Sequence, residues 1–113
     1  MHGRLIQTLL LKILTNYIEE NYPDDEILLA DGFEGAFMGV VESFGIKPRA
    51  LYNRDECIDI LTQRDGMSYE EAQEFFSFNV EGAYVGEYTP AFYEPLQEFN
   101  EEPPAGCDYG IGG

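Results

Sequence analysis

Residues 53–80, NRDECIDILTQRDGMSYEEAQEFFSFNV, decide how this chain folds. At their centre, Gly66 stands where a helix ends in the left-handed conformation that glycine adopts without steric cost. Ser68 and Glu71 then have capping-box spacing. The Ser68 hydroxyl can accept from the Glu71 amide, and the Glu71 carboxylate can reach back to the Ser68 amide. Met67 and Ala72 occupy the two positions of a hydrophobic staple. Before the turn, Cys57, Ile58 and Leu61 form an apolar stripe, with Asn53 or Asp55 available as its N-cap. After it, Ala72, Phe75, Phe76 and Val80 are expected to be buried. The stretch therefore predicts two helices joined by a tight turn.

Upstream, Leu5, Ile6, Leu9, Leu10, Ile13, Leu14, Tyr17 and Ile18 recur at helical spacing. This predicts a helix over about residues 4–21, ended by Pro23. Between these helices, Gly35 and Gly39 argue against a helix in FEGAFMGVVESF (residues 33–44), although Phe33, Phe37, Val40, Val41 and Phe44 fit one helical face. The run from Ala36 to Val41 suits a short buried strand, placed at about 36–42. Gly45 and Pro48 make a turn, and Arg49-Ala50-Leu51-Tyr52 reads as a second strand, so the two form a hairpin-like pair. A third strand is expected near 90–93, held at an edge by Pro90 and Pro95. The fold class read from these elements is α+β: a single small domain of about three helices on a two- to three-stranded sheet. It occupies residues 1–99, and 100–113 form an acidic Pro/Gly-rich tail.

The chain has 113 residues, enough for one domain with its own core. Its formal net charge is −16. All six basic residues and 11 acids lie in the first 64 positions, for a net of −5. Residues 65–113 hold the other 11 acids and no base, for a net of −11. Such a body repels phosphate backbones and anionic lipid, so direct binding of nucleic acid or membrane is excluded as a function. The apolar stretch near the N-terminus is interrupted by Gln7, Thr8 and Lys12, and no small-residue cleavage site follows it. It is also too short to cross a bilayer. The expectation is a cytoplasmic protein. Cys57 and Cys107 then read as free thiols in a reducing compartment; a bridge between them would tie a helix to the tail.

Catalytic signals are absent. The sole histidine is His2, and no nucleophile elbow, phosphate loop or dinucleotide fingerprint occurs. The stretch around Gly66 fails as a calcium loop. With Gly66 at position six, positions one, three and twelve are Leu61, Gln63 and Ala72, which offer no carboxylate. Asp24, Asp25 and Glu26 are consecutive and point in different directions, as in a solvated loop. Cys57 lies on an apolar stripe and reads as packing. No catalytic residue, metal or cofactor is expected, and the protein is read as a non-enzyme.

The run in residues 57–92, CIDILTQRDGMSYEEAQEFFSFNVEGAYVGEYTPAF, resembles a set of small acidic proteins carried by bacteriophages and by phage-derived segments of bacterial genomes. The motifs that carry the resemblance are Arg64-Asp65-Gly66-Met67-Ser68, Glu70-Glu71-Ala72, Phe78-Asn79-Val80 and Gly82-Ala83-Tyr84-Val85-Gly86-Glu87. It covers roughly residues 30–93 and implies a viral or mobile-element origin, with no residue role to carry over.

Two functions follow as expectations. In the first, the acidic half imitates the phosphates of DNA and blocks a basic groove on a host protein. That protein would be a defence nuclease, such as a CRISPR effector or restriction enzyme, or a transcription protein. The residues expected to bind are Glu70, Glu71, Glu74, Glu81 and Glu87, with Tyr84 and Tyr88 as aromatic anchors. In the second, the aromatic segment 84–99 serves assembly, as a homo-oligomer or as an adaptor in a phage complex.

Overall fold

The computed structural model describes residues 2–96, with side chains from Thr8 onward. The predicted tail, Cys107 and residues 97–99 lie outside the described residues.

Helix α1 (His2–Asn21) runs through the apolar stripe and stops before Pro23. An extended segment then leads to a one-turn 3-10 helix at Glu34–Ala36. Strands β1 (Phe37–Val41) and β2 (Arg49–Asn53) form the expected antiparallel pair, with Val40 opposite Ala50 and Phe37 opposite Tyr52. The register slips between Phe37 and Gly39, leaving Met38 unpaired and exposed. Along β2, Ala50 and Tyr52 point into the core, as strand alternation requires.

Helix α2 (Arg54–Asp65) starts directly from β2. Asn53 is its N-cap: its side-chain oxygen accepts from the Glu56 amide at 3.2 Å. Gly66 ends the helix at φ 70°, and Arg64 anchors that end. Its guanidinium donates to both Asp65 carboxylate oxygens at 3.0 Å, to the Gly32 carbonyl at 2.7 Å, and lies over the Phe33 ring. Asp65 raises the pKa of Arg64, and Arg64 in turn lowers that of Asp65. Helix α3 (Tyr69–Phe76) carries the full capping box. The Glu71 amide donates to Ser68 Oγ at 3.1 Å, and the Ser68 amide donates to a Glu71 carboxylate oxygen at 2.9 Å. That backbone hydrogen bond holds the Glu71 pKa below the usual carboxylate value.

Strand β3 (Ala91–Tyr93) completes the sheet at its edge, parallel to β2, in the order β1-β2-β3. A parallel neighbour needs a long crossover, and α2 with α3 supply it. The core sits between the sheet and this helix pair: Phe33, Ala36, Ala50, Tyr52, Cys57, Ile58, Leu61, Ala72 and Phe76. Phe76 meets Phe33 and Phe92 edge-on, with ring centroids 6.1 and 4.9 Å apart. Cys57 is a free, buried thiol whose pKa is pushed up to about 12, chiefly by desolvation. Phe75 corrects the expected stripe: it is 39 % exposed, because Ala72 and Phe76 at i and i+4 fill the buried face and leave i+3 at its margin.

Candidate functional site

The capping box fixes where α3 begins, and burial of Ala72 and Phe76 fixes its rotation. At about 100° per residue, Glu70 and Glu74 then stand about 160° round from Ala72, on the face away from the core. Both are exposed, and neither side chain makes a hydrogen bond or ion pair among the described residues. Phe78, one turn after Glu74, lies on the same side and is 81 % exposed, whereas Phe75, 39 % exposed, lies about 100° round from Glu74 at the margin of the buried face. The helix does not stop at Phe76. It widens into a π-helical turn, Ser77–Glu81, closed by the Gly82 amide on the Ser77 carbonyl at 3.0 Å. A side chain at position 82 would place its Cβ 3.0 Å from that oxygen, so any larger residue needs the Ser77 carbonyl to give way by a few tenths of an ångström. The π turn rotates Phe78 outward while Val80 packs against the core. The result is an acidic face set with exposed aromatic rings.

The seven residues expected to bind divide into two groups. Glu70, Glu74, Glu87 and Tyr84 are exposed, Tyr84 by 70 %. The other three serve the fold. Glu71 closes the capping box. Glu81 pairs with Arg54, Nε to carboxylate 3.4 Å, while the Arg54 guanidinium also lies 5.4 Å from the centre of the Phe76 ring. Tyr88 is half-buried and its hydroxyl donates to Asp25 at 2.9 Å, a bond that raises the Tyr88 pKa. Glu87 sits in a separate loop. Buried Thr89 organises that loop by accepting from the Val85 amide and donating to the Gly86 carbonyl. Phe78 belongs to the site but was not expected there. The signal was present: Phe78 falls two residues after Phe76 and two before Val80, off the buried stripe.

Two of the six bases are engaged in ion pairs among the described residues. Arg54 and Arg64 form the ion pairs of the described residues, with Glu81 and Asp65, and both also cover aromatic rings. Glu70, Glu74, Glu87 and Glu94 form no ion pair among the described residues. Among the described residues no group of three His, Cys, Asp or Glu is placed to hold a metal ion, and no helix is long and apolar enough to cross a membrane.

A second feature involves neither Glu70 nor Glu74. An open apolar cavity of about 510 Å³ is bounded by Leu28, Ala30, Phe33, Val80, Pro90 and Phe92. Asp31 is the charged residue in its wall. It offers apolar contact but no nucleophile or acid–base pair.

No family model, no curated protein and no solved structure matches this chain. What fold and site define is a small α+β domain with an acidic, aromatic-studded helix face.

Proposed function

We propose that this protein is a non-enzymatic binder that occupies the nucleic-acid groove of a basic host protein and so inhibits or modulates it. The defence nucleases and transcription proteins of a phage-infected cell are the class of target. The observation that carries this reading is the α3 face, where Glu70 and Glu74 stand one turn apart with no basic neighbour, in line with exposed Phe78 one turn on. Carboxylates at such spacing meet guanidinium and ammonium groups that otherwise hold phosphates. Aromatic rings supply the desolvated anchors on which tight protein interfaces depend. The −16 net charge accelerates encounter with a basic partner.

The test uses the parent and the Glu70→Lys/Glu74→Lys double variant. Glu71 is left in place because it holds the capping box. Each protein is used as bait in host lysate, and the captured protein is then titrated with duplex DNA at about 50 and 300 mM salt. The parent competes with DNA, its affinity falls steeply with salt, and the variant does not bind. Equal binding by parent and variant, with no salt dependence, refutes the reading. That outcome would favour an assembly role through segment 84–99, where Tyr84, Val85 and Leu96 are exposed.

A further inference from the structure

The open apolar cavity of about 510 Å³ is left between the extended segment before the 3-10 turn, the π turn and strand β3. Leu28 and Ala30 line it from the first, Val80 from the second and Phe92 from the third. Val80 and Phe92 are held in place because both also pack against the core. The volume falls within the roughly 300–1,000 Å³ of small-molecule sites, which are mostly apolar and carry a few polar groups that fix the ligand. Here Asp31 and Asn79 are the polar residues of the wall.

The hydrogen bonds of that wall select the ligand. Several of its donors are spent inside the fold. The Ala30 amide donates to the Tyr52 hydroxyl at 2.7 Å, the Ala83 amide to the Val80 carbonyl at 3.2 Å, and the Val85 amide to Thr89 Oγ1 at 2.8 Å. Pro90 has no amide to give. The Asn79 side-chain nitrogen donates to the Phe75 carbonyl at 3.2 Å, while its Oδ1 has no partner among the described residues. The Asp31 carboxylate likewise makes no hydrogen bond or ion pair there. Free acceptors and one negative charge therefore stand in an apolar wall. An anionic ligand is repelled by Asp31 and by the −16 net charge of the chain. Residues 97–113 bring Glu98, Glu101, Glu102 and Asp108 and no base, so the chain's own C-terminal segment lacks the matching group.

We propose that this cavity is a binding site for a small molecule with an apolar body and a protonated amine. The body lies against Leu28, Val80 and Phe92, and the Asp31 carboxylate accepts from the ammonium, with Asn79 Oδ1 as a further acceptor in the wall. Apolar contact supplies most of the affinity, and the charge-assisted hydrogen bond supplies the choice of head group. The site uses neither Glu70 nor Glu74, so it stands or falls independently of whether the α3 face binds a basic protein.

Isothermal titration calorimetry of the purified full chain tests it, with three probes that share one octyl chain: octylammonium, octanol and octanoate, in about 150 mM salt. Octylammonium binds one molecule per chain, about tenfold more tightly than octanol, and octanoate binds more weakly than either. Asp31→Asn brings octylammonium down about tenfold, to the level of octanol, and leaves octanol unchanged. Ala83→Phe places a ring in the cavity and abolishes binding of both. Both variants keep the parent's far-UV circular dichroism and melting profile, because both positions are exposed. Absence of octylammonium binding to the parent overturns the proposal, even if a protein partner covers the cavity. Equal affinity for all three probes overturns it too. So does octylammonium affinity that is unchanged in Asp31→Asn, which would report attraction to the net charge alone, or unchanged in Ala83→Phe, which would place the binding elsewhere.

Discussion

Tyr52→Phe removes one oxygen atom from the centre of the molecule. The ring is fully buried, and its contacts with Phe37 and Phe92, at centroid distances of 5.6 and 5.8 Å, survive the change. What is lost is the acceptor for the Ala30 amide, which donates to the Tyr52 hydroxyl at 2.7 Å. This bond ties the extended segment before the 3-10 turn to the central strand. Leaving a buried donor unpaired costs about 1–3 kcal/mol, and the half-buried setting of Ala30 puts the cost in the lower part of that range, about 1–2 kcal/mol. With a urea slope of about 1–2 kcal/mol/M for a domain of this size, the unfolding midpoint falls by about 1 M.

The same pair carries a pH signature. Desolvation raises the Tyr52 pKa from 10.0 to about 12, and the hydrogen bond from the Ala30 amide only partly offsets this. A pKa raised in the folded state contributes stability that is complete below the unfolded value and is lost as pH rises through the folded one. The parent therefore loses this contribution between pH 10 and about 12, while the phenylalanine variant has none to lose. The gap in stability between them narrows over that range. Cys57, Tyr22 and Tyr88 titrate in both proteins and cancel in the difference. Urea titrations followed by far-UV circular dichroism at pH 7, 9, 10 and 11, about one unit apart across the tyrosine range, measure it. Equal midpoints at pH 7, or a gap that stays constant with pH, would refute the account of Tyr52.

Three further outcomes are expected. Ser68→Ala costs about 1 kcal/mol through loss of the cap. Because the Glu71 pKa is lowered in the fold, the parent also loses stability as pH falls through the carboxylate range, and this acid limb shrinks only in part in the variant, which keeps the residue-68 backbone amide that is the main cause of the shift, as thermal melts from pH 7 downward will show. Gly66→Val destabilises more than Ser68→Ala in the same melts, since φ of 70° is closed to a β-branched side chain. Cys57, with its pKa raised from 9.0 to about 12, holds about a thousandfold less thiolate at pH 8 than a free cysteine, so in a Cys107→Ser background it is alkylated only after urea unfolding; equal rates in folded and unfolded protein would contradict its burial.

The elements most legible in the sequence are those fixed by local chemistry. Gly66, Ser68 and Glu71 specify a turn through backbone conformation and hydrogen bonds spanning three residues, and every part of that reading is present in the fold. The edge position of β3 was similarly implied by Pro90, which has no amide to offer a ladder. The parallel pairing of β3 with β2 was not legible, because it depends on how the α2–α3 crossover returns the chain to the sheet. The binding roles first assigned to Glu81, Tyr88 and Glu71 show the same division. Glu71 could be seen in the capping box from spacing alone. Glu81 is held by Arg54 and Tyr88 by Asp25, partners 27 and 63 residues away.

By itself, then, the sequence determined the helix–turn–helix, the hairpin, the identity of most core residues and the excess of acid. All of these follow from periodicity, capping and composition over a few residues. Apart from Glu71 and Phe78, whose places spacing indicates, tertiary packing decided which acids are free and which aromatics face outward. Arg54 and Arg64 are drawn into the fold by distant partners, and burial of Ala72 and Phe76 turns Glu70, Glu74 and Phe78 toward solvent. A carboxylate becomes available for a partner only when no base folds back onto it, and that depends on three-dimensional proximity, which spacing along the chain does not encode.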